Sequence, residues 1–193
     1  MRVIILSRRD VQQSLNMAEA IQVVREAYIA ASTGKVKMPV RTSIEVGDGS
    51  VALFMPAFRT DTRGIGLKAV TVFPENRARR LPTIHAVVLY LDPETGVPAA
   101  VLEGGYITGL RTGAAGGLAA DLLSARDART AVVIGAGVQG WYQLSALCVV
   151  RPIERAWIVD VERDAAERLA NRVRTELRVQ AQVADTVESA VKG

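Results

Sequence analysis

The sequence is poor in cysteine and histidine, and both shortages exclude classes of protein. Its 193 residues include one cysteine, Cys148, and one histidine, His85. A single cysteine excludes an internal disulfide framework and a multi-cysteine zinc site, and a single histidine excludes a histidine-rich metal site. Cys148 lies on the apolar side of a predicted helix and is expected in the core. We therefore expect no metal centre and a reducing, cytoplasmic compartment.

Aromatic residues and long apolar runs are also scarce. Aromatic side chains make up 5% of the chain, whose net charge is +4 and whose pI is about 9.6. Basic residues without interleaved aromatics do not make a stacking surface for single-stranded nucleic acid, and an anionic small molecule explains the basic excess equally well. No apolar run approaches the roughly 20 residues of a membrane span, and the N-terminal apolar stretch is too short for a secretory signal. We expect neither nucleic acid nor membrane as a partner; nucleic-acid binding remains a remote alternative.

The first two thirds of the chain predict a mixed α+β domain, residues 1–125. Apolar residues are 49% of the sequence, enough for a packed core. Residues 8–34 have a helical apolar period, and residues 106–123 form a second helix rich in Ala and Gly. Between them, turn signals separate short β-rich runs that predict an antiparallel or mixed sheet. These runs are Arg41–Val46, Val51–Pro56, Ile65–Phe73, Ile84–Leu91 and Ala99–Leu102.

Residues 126–193 predict a different architecture, in which strands and helices alternate. Predicted strands at Thr130–Ile134, Ala156–Asp160 and Val179–Val183 are followed by predicted helices at Val138–Val150, at Glu162–Glu176 and over Thr186–Val191, respectively. Such alternation indicates βαβ units and a parallel sheet. The fold class is therefore α/β, a Rossmann-type domain preceded by an α+β domain. We expect only the first half of the Rossmann domain within these residues, with the remainder on a longer polypeptide or supplied by a partner.

One motif carries a specific chemical prediction. Gly135-Ala136-Gly137-Val138-Gln139-Gly140 is a G-x-G-x-x-G sequence between a strand and a helix, and Asp160 ends the next strand. This context is typical of dinucleotide binding, with Gly135 for the tight turn, Gly137 for close approach of the pyrophosphate and Gly140 for helix–sheet packing. Asp160 would accept hydrogen bonds from the ribose and favour NAD over NADP. NADP remains possible as the cofactor, because Arg163 could pair with its 2′-phosphate. The structural alternative for the whole motif is the glycine-rich strand-to-helix turn of a flavodoxin-like fold, without a bound dinucleotide.

Three cations lie among apolar or small residues and are candidate anion-binding groups. They are Arg41, Lys68 and Arg111. A cation in such a setting is costly unless it is paired or faces a ligand, and the planar fork of arginine suits a carboxylate. The alternative is a solvent-facing cation, or one paired with Glu45 or Glu103. Met55 ends a strand and either lines a pocket or packs in the core.

Several segments together resemble the ornithine cyclodeaminase/mu-crystallin family. The resemblance covers almost the whole chain and rests on several motifs in the family's order. These are Met55–Ala57, Gly66–Lys68 with Phe73–Pro74, Leu81–His85, Asp92–Pro98, Leu110–Ala115 and Ile134–Gln139. It implies a two-domain subunit that forms a homodimer through its first domain.

The resemblance also implies roles for individual residues. Arg41, Lys68 and Arg111 resemble the group that holds the substrate carboxylate, and Thr83 resembles a neighbouring pocket hydroxyl. Lys68 would also assist proton movement. Arg111 and Thr112 would lie near the cofactor, whose site would otherwise comprise Gly135, Ala136, Gly137, Val138, Gln139, Gly140 and Asp160. The implied cofactor is NAD, with NADP possible.

The family's activities set the functional expectation. Its members include ornithine cyclodeaminases, alanine dehydrogenases, cyclic ketimine reductases and mu-crystallins. We therefore expect hydride transfer at the amine-bearing carbon of a small amino or imino acid. The alternative is a non-catalytic binding protein of mu-crystallin type, because the second half of the Rossmann domain and its substrate-binding aspartate are not within these residues. A chain that ended here could be inactive.

Overall fold

The computed structural model describes residues 2–192. Their contacts divide the chain into two compact units. The first unit comprises residues 2–15 and 26–108, and the second comprises residues 16–25 and 109–192. The predicted α/β fold class, with a mixed sheet followed by a parallel one, is confirmed. The predicted domain boundary at residue 125 stays a prediction for the protein as a whole.

The first unit is built on a seven-stranded mixed sheet. The strand order is β1-β7-β6-β5-β4-β2, and β3 also pairs with β4. Strand β1 runs parallel to β7, and the other pairs are antiparallel. The bounds are β1 (Ile4–Leu6), β2 (Val36–Lys37), β3 (Thr42–Gly47), β4 (Ser50–Arg59), β5 (Gly64–Val72), β6 (Ile84–Leu91) and β7 (Pro98–Glu103).

The single helix expected over residues 8–34 is wrong, because two helices occupy this region. They are α1 (Arg8–Ser14) and α2 (Met17–Ser32). Leu15 is extended, and Asn16 begins a new helix with a reciprocal cap. The Glu19 amide donates to Asn16 Oδ1 at 3.0 Å, and the Asn16 amide donates to Glu19 Oε2 at 2.9 Å. This capping box restarts the helix without a break in the apolar period.

The second unit contains a three-stranded parallel sheet of order β10-β9-β8. Helix α3 (Gly104–Leu123) belongs to this second unit from Gly109 onward. Strands and helices then alternate as predicted: β8 (Thr130–Ile134), α4 (Val138–Val150), β9 (Arg155–Val159), α5 (Arg163–Arg172), β10 (Gln180–Val183) and α6 (Val187–Lys192). The helix expected to reach residue 176 instead changes at Val173 to a π-helical turn, which ends before left-handed Arg178.

Alternate residues of the parallel strands form the core of the second unit. Ala131 and Val133 of β8 are buried together with Ala156 and Ile158 of β9. Leu144 of α4 and several residues of α5 pack against them, and Cys148 is half-buried at the margin of this core. Burial raises the pKa of the Cys148 thiol and so disfavours its reactive thiolate form. Within residues 2–192, none of the helices combines the length and apolar character needed to cross a bilayer.

Replacing the cap between α1 and α2 tests why the predicted helix is divided. Asn16→Ala removes the side-chain acceptor for the Glu19 amide, and we expect a loss of about 1 kcal/mol in the free energy of unfolding. Urea denaturation measures this loss. Gln13→Ala, at an exposed position of α1, is the control and should change stability by less than about 0.5 kcal/mol. Equal effects of the two substitutions would contradict the capping role.

Candidate functional site

The turn between β8 and α4 is held against the neighbouring strand. Gly135 has φ +101°, a conformation that side-chain-bearing residues rarely adopt. Its amide donates to the Val159 carbonyl oxygen at 2.8 Å. The chain therefore leaves β8 sharply while it remains bonded to the end of β9.

The first turn of α4 packs directly on this bend. A Cβ atom on Gly140 would overlap the Gly135 carbonyl oxygen and would lie 3.3 Å from Leu169 Cδ2. A Cβ on Gly137, in contrast, would meet no atom within 4 Å. Glycine at 140 is thus required by packing, whereas glycine at 137 leaves open the space at the amino end of α4.

The amino end of α4 is suited to an anion. Gly137 is the N-cap residue and provides no side-chain hydrogen bond to the helix. The first amides of a helix lack intrahelical acceptors and carry partial positive charge, so they bind phosphate or carboxylate oxygens readily. The open space at Gly137 therefore lies where a ligand phosphate would meet these amides.

Asp160 connects the end of β9 to the turn. Its Oδ2 accepts the Ala136 amide at 2.6 Å, and its Oδ1 accepts the Glu162 amide at 2.9 Å. The Ala136 amide, followed by that of Glu162, holds the pKa of this carboxyl below its usual range. Asp160 is therefore an anion at neutral pH, fixed beside the turn.

A cavity of about 470 Å³ adjoins the turn. It is lined by β8, by the turn and by one face of α4 that carries Gln139, Gln143 and Leu147. Ile134, at the end of β8, is 66% exposed and is part of this lining. The walls are thus apolar with two amide side chains, as is usual for a small-molecule pocket.

The structure brings most of the predicted cofactor residues together. Gly135, Gly137, Gln139 and Gly140 line the cavity, and Ala136 is bonded to Asp160. Val138 begins α4, where it is 71% exposed.

Arg163, the residue that could have paired with a 2′-phosphate, forms ion pairs with two acidic side chains instead. Its Nη1 donates to Asp185 Oδ1 at 2.6 Å, and its Nη2 lies 4.0 Å from Glu167 Oε1.

The two predicted residues of α3 differ in their surroundings. Arg111 is exposed. Thr112 is half-buried, and its carbonyl oxygen accepts a hydrogen bond from Gln143 Nε2 at 3.2 Å. Thr112 is thus connected to a side chain that lines the cavity.

The first unit places three of the predicted substrate residues in one row across its sheet. Met55 of β4 pairs with Lys68 of β5, and both are half-buried. Arg41 is exposed and directly precedes Thr42, whose partner on β4 is Phe54, so the continued register leads from Arg41 to Met55. Thr83 lies apart from this row, just before β6, where its carbonyl oxygen accepts the Phe73 amide at 2.8 Å.

Sequence reasoning missed Gln143 as a residue of the cavity. A signal was available, because Gln143 lies one helical turn after Gln139 and shares its face of α4. The bond between Asp160 and the turn was also missed, since the spacing predicts the position of the acid but not its partner. Over residues 2–192, no group of three or more His, Cys, Asp or Glu side chains is placed to hold a metal ion.

Comparison with known proteins identifies the family. The sequence model of the ornithine cyclodeaminase/mu-crystallin family matches residues 1–193. The chain belongs to this family. An alanine dehydrogenase of Archaeoglobus fulgidus is 37% identical over 171 residues, which are 89% of this chain and 52% of that protein.

Solved structures of family members have the same fold. The Δ1-pyrroline-2-carboxylate reductase of Thermococcus litoralis, in complex with NADH and L-proline, matches with a TM-score of 0.94 and 38% identity, over 97% of this chain and 58% of that one. An archaeal alanine dehydrogenase dimer with bound NAD matches with a TM-score of 0.90 and 34% identity, over 98% and 58%. The chain thus spans little more than half the length of these relatives.

The contrast between Gly140 and Gly137 gives a test of the turn in this family member. Gly140→Ala places a Cβ on the Gly135 carbonyl, and we expect a loss of about 1–3 kcal/mol in unfolding free energy. Gly137→Ala enters open space at the N-cap and should cost less than about 1 kcal/mol. Denaturant unfolding compares the two. Similar losses would show that the close approach at Gly140 does not restrict the residue there.

The hydrogen bonds of Asp160 predict a pH dependence. Because the native pKa is lowered, the carboxylate contributes stability above its unfolded pKa, near 3.9, and this contribution is lost as the pH falls through the native value. Asp160→Asn should therefore be less stable than the wild type at neutral pH, and the difference should shrink in acid. Urea unfolding between about pH 3 and 7 measures it. Asp127→Asn, in an exposed loop, is the control; a wild-type advantage at Asp160 that persists unchanged in acid contradicts the prediction.

Proposed function

We propose that the protein is an NAD-dependent oxidoreductase that acts on a small amino or imino acid. Hydride would move between the nicotinamide and the amine-bearing carbon of the substrate. The observation that supports this most directly is the turn at Gly135–Gly137, which leaves the amino end of α4 open next to an ionised aspartate.

The residues of the second unit fit a dinucleotide. The amides at the start of α4 would receive the pyrophosphate, and the absence of a side chain at Gly137 would let it approach. Asp160 would hold the adenosine ribose through the carboxylate oxygens that now accept two backbone amides. Gln139 would line the groove, and Arg111 and Thr112 of α3 would contribute to the same cofactor.

The charges favour NAD over NADP. Asp160 is an anion where a 2′-phosphate would be bound, and repulsion between the two would weaken NADP. Arg163, which could have compensated, has its guanidinium on Asp185 at 2.6 Å. If Arg163 were to bind the 2′-phosphate of NADP, it would first have to leave Asp185. The phosphate would also have to overcome repulsion by the Asp160 carboxylate.

The first unit supplies the residues proposed for the substrate. Arg41 and Lys68 would bind its carboxylate, because an arginine fork and an ammonium group both stabilise carboxylate oxygens. Thr83 would add a hydroxyl and Met55 an apolar wall. Arg111, on the second unit, is a further carboxylate-binding candidate.

The chemistry divides between the cofactor and the chain. NAD supplies the hydride acceptor, or NADH the donor. The cations would orient the substrate by its carboxylate, so that the reacting carbon stays in place. Lys68 would also stabilise charge on the substrate and move a proton to or from its nitrogen. The three family reactions would differ in the group that attacks the imine. This group is an internal amine in cyclodeamination, water in alanine oxidation and the hydride of NADH in ketimine reduction.

Two further properties are proposed with this function. One is a homodimer, which is supported by the dimeric archaeal alanine dehydrogenase of similar fold. The other is a cytoplasmic location, which a single cysteine in 193 residues favours. A non-catalytic binding protein of mu-crystallin type is the alternative that the test below distinguishes.

Cofactor binding and turnover test the proposal on the full-length protein. Calorimetry should give tighter binding of NAD than of NADP, and Gly137→Ala should weaken NAD at least tenfold while the protein stays folded. NADH formation and ammonia release are then assayed with L-alanine, L-proline, L-ornithine and L-lysine. Binding without turnover of any would favour the non-catalytic alternative, and no binding of either nucleotide would refute the proposal.

Substitution of Lys68 tests its catalytic role. Lys68→Met should lower kcat/KM about 10²-fold, since a positioned charge on the reacting substrate is lost. Lys37→Met, on the exposed part of β2, is the matched control and should leave kcat/KM unchanged. Equal activities of the two variants would remove Lys68 from the reaction.

A further inference from the structure

Arg151 is a buried arginine at the end of α4 opposite the turn that joins β8 to α4, and the proposed cofactor site gives no reason for its burial. It follows α4 directly, and its side chain is 4% exposed. Its guanidinium donates to the last turn of α3 and the residues just after it. The acceptors there are Ala120 O at 2.9 Å, Asp121 O at 2.8 Å, Asp121 Oδ1 at 3.2 Å, Ser124 Oγ at 2.9 Å, Ser124 O at 3.1 Å and Ala125 O at 2.9 Å. A further bond goes to Val150 O, at the end of α4, at 2.6 Å.

These bonds cap α3 from a neighbouring helix. The last carbonyls of a helix lack intrahelical donors, and a cation there also complements the helix dipole. Asp121 receives Arg151 on one carboxylate oxygen and Arg25 of α2 on the other, the latter at 2.7 Å. The bond from Arg151 is the main reason that the pKa of Asp121 lies below its usual range. The carboxyl end of α3 is thus fixed to α4 by directional bonds.

Further along, α3 and α4 are in backbone contact. A Cβ on Gly113 would lie 2.5 Å from the Tyr142 carbonyl oxygen, and one on Gly117 would lie 2.8 Å from Ala146 Cβ. Gln143 crosses this seam and donates to the Thr112 carbonyl at 3.2 Å. The seam therefore includes a polar contact at Thr112 and a larger set of hydrogen bonds at Arg151.

We propose that Arg151 is a positioning residue for Arg111: it fixes α3 along α4 and so sets where Arg111 stands relative to the helix that begins at the cofactor turn. This inference rests on the proposed role of Arg111 in substrate binding. Packing at the seam, such as that of the Tyr142 ring against Gly109, is non-directional. The planar guanidinium of Arg151 adds six directional bonds to the carboxyl end of α3 and the residues just after it, and these favour one placement of α3 along α4. Displacement of a binding group by about 1 Å is enough to reduce catalysis.

A double-mutant cycle on the full-length protein tests the proposal. The substitutions are Arg151→Lys, which keeps the charge but removes the fork, and Arg111→Met, alone and together. The probe is L-proline with NAD, or whichever amino acid of the panel above is turned over fastest. Arg151→Lys alone should raise KM about tenfold with little change in kcat, and in the Arg111→Met background it should raise KM less than twofold.

The KM readout separates positioning from stability. Partial unfolding lowers kcat in proportion to the active fraction and leaves KM unchanged. Arg25→Met is the matched control, because it removes the other arginine on Asp121 without touching the carbonyls of α3, and its KM should equal that of the wild type. Additive effects of Arg151→Lys and Arg111→Met on KM would overturn the proposal.

A second readout does not depend on activity. Hydrogen exchange should show faster exchange in α3, at residues 112–118, in Arg151→Lys than in Arg25→Met, while α5 stays unchanged. Equal protection of α3 in both variants would also overturn the proposal. A wild-type protein that neither binds NAD nor turns over an amino acid contradicts the proposed function alone, and the exchange experiment still decides whether Arg151 fixes α3.

Discussion

The second unit depends on the contact between the first turn of α4 and the carbonyl group of Gly135. Three demands meet there. The chain must turn with positive φ at Gly135, α4 must start almost on top of that residue, and β9 must lie close enough for Val159 to bind its amide. Only glycine at 135 and 140 satisfies the first two. Between these two glycines, Gly137 leaves space beside the first amides of α4, which lack intrahelical acceptors.

This contact also explains the behaviour of Asp160. The turn directs the Ala136 amide toward the end of β9, and the carboxylate accepts it at 2.6 Å. One acid would therefore have two uses. It stabilises the turn through the Ala136 amide, and it is the charge proposed to discriminate between the two nucleotides. Because the same oxygens would serve both, nucleotide binding would be coupled to the order of the turn, and loss of this carboxylate would affect both.

Local patterns predicted much of the fold, and pairing between distant segments explains what they missed. Strand β8 and helix α4 were predicted at their observed bounds, since an apolar run, a glycine turn and a helical period follow one another without ambiguity. Strand β1 was missed because its three residues become a strand only by pairing with β7, nearly a hundred residues later. The division between α1 and α2 was missed because its capping box lies inside a continuous apolar period.

The same distinction applies to the candidate site, and it shows what a buried arginine adds there. The glycines and Asp160 were recognisable because their roles require particular residue types at fixed spacing. Arg163 resembled a phosphate ligand, and only the fold revealed Asp185, 22 residues later, as its partner. No sequence pattern singled out Arg151, yet it is among the most buried polar residues of the described chain. An apolar residue could fill that volume and stabilise the fold equally well, because burial of a charge is offset only by well-formed bonds. What an apolar contact lacks is direction. It would hold α3 against α4, whereas the bonds of Arg151 to four residues between positions 120 and 125 also favour one register.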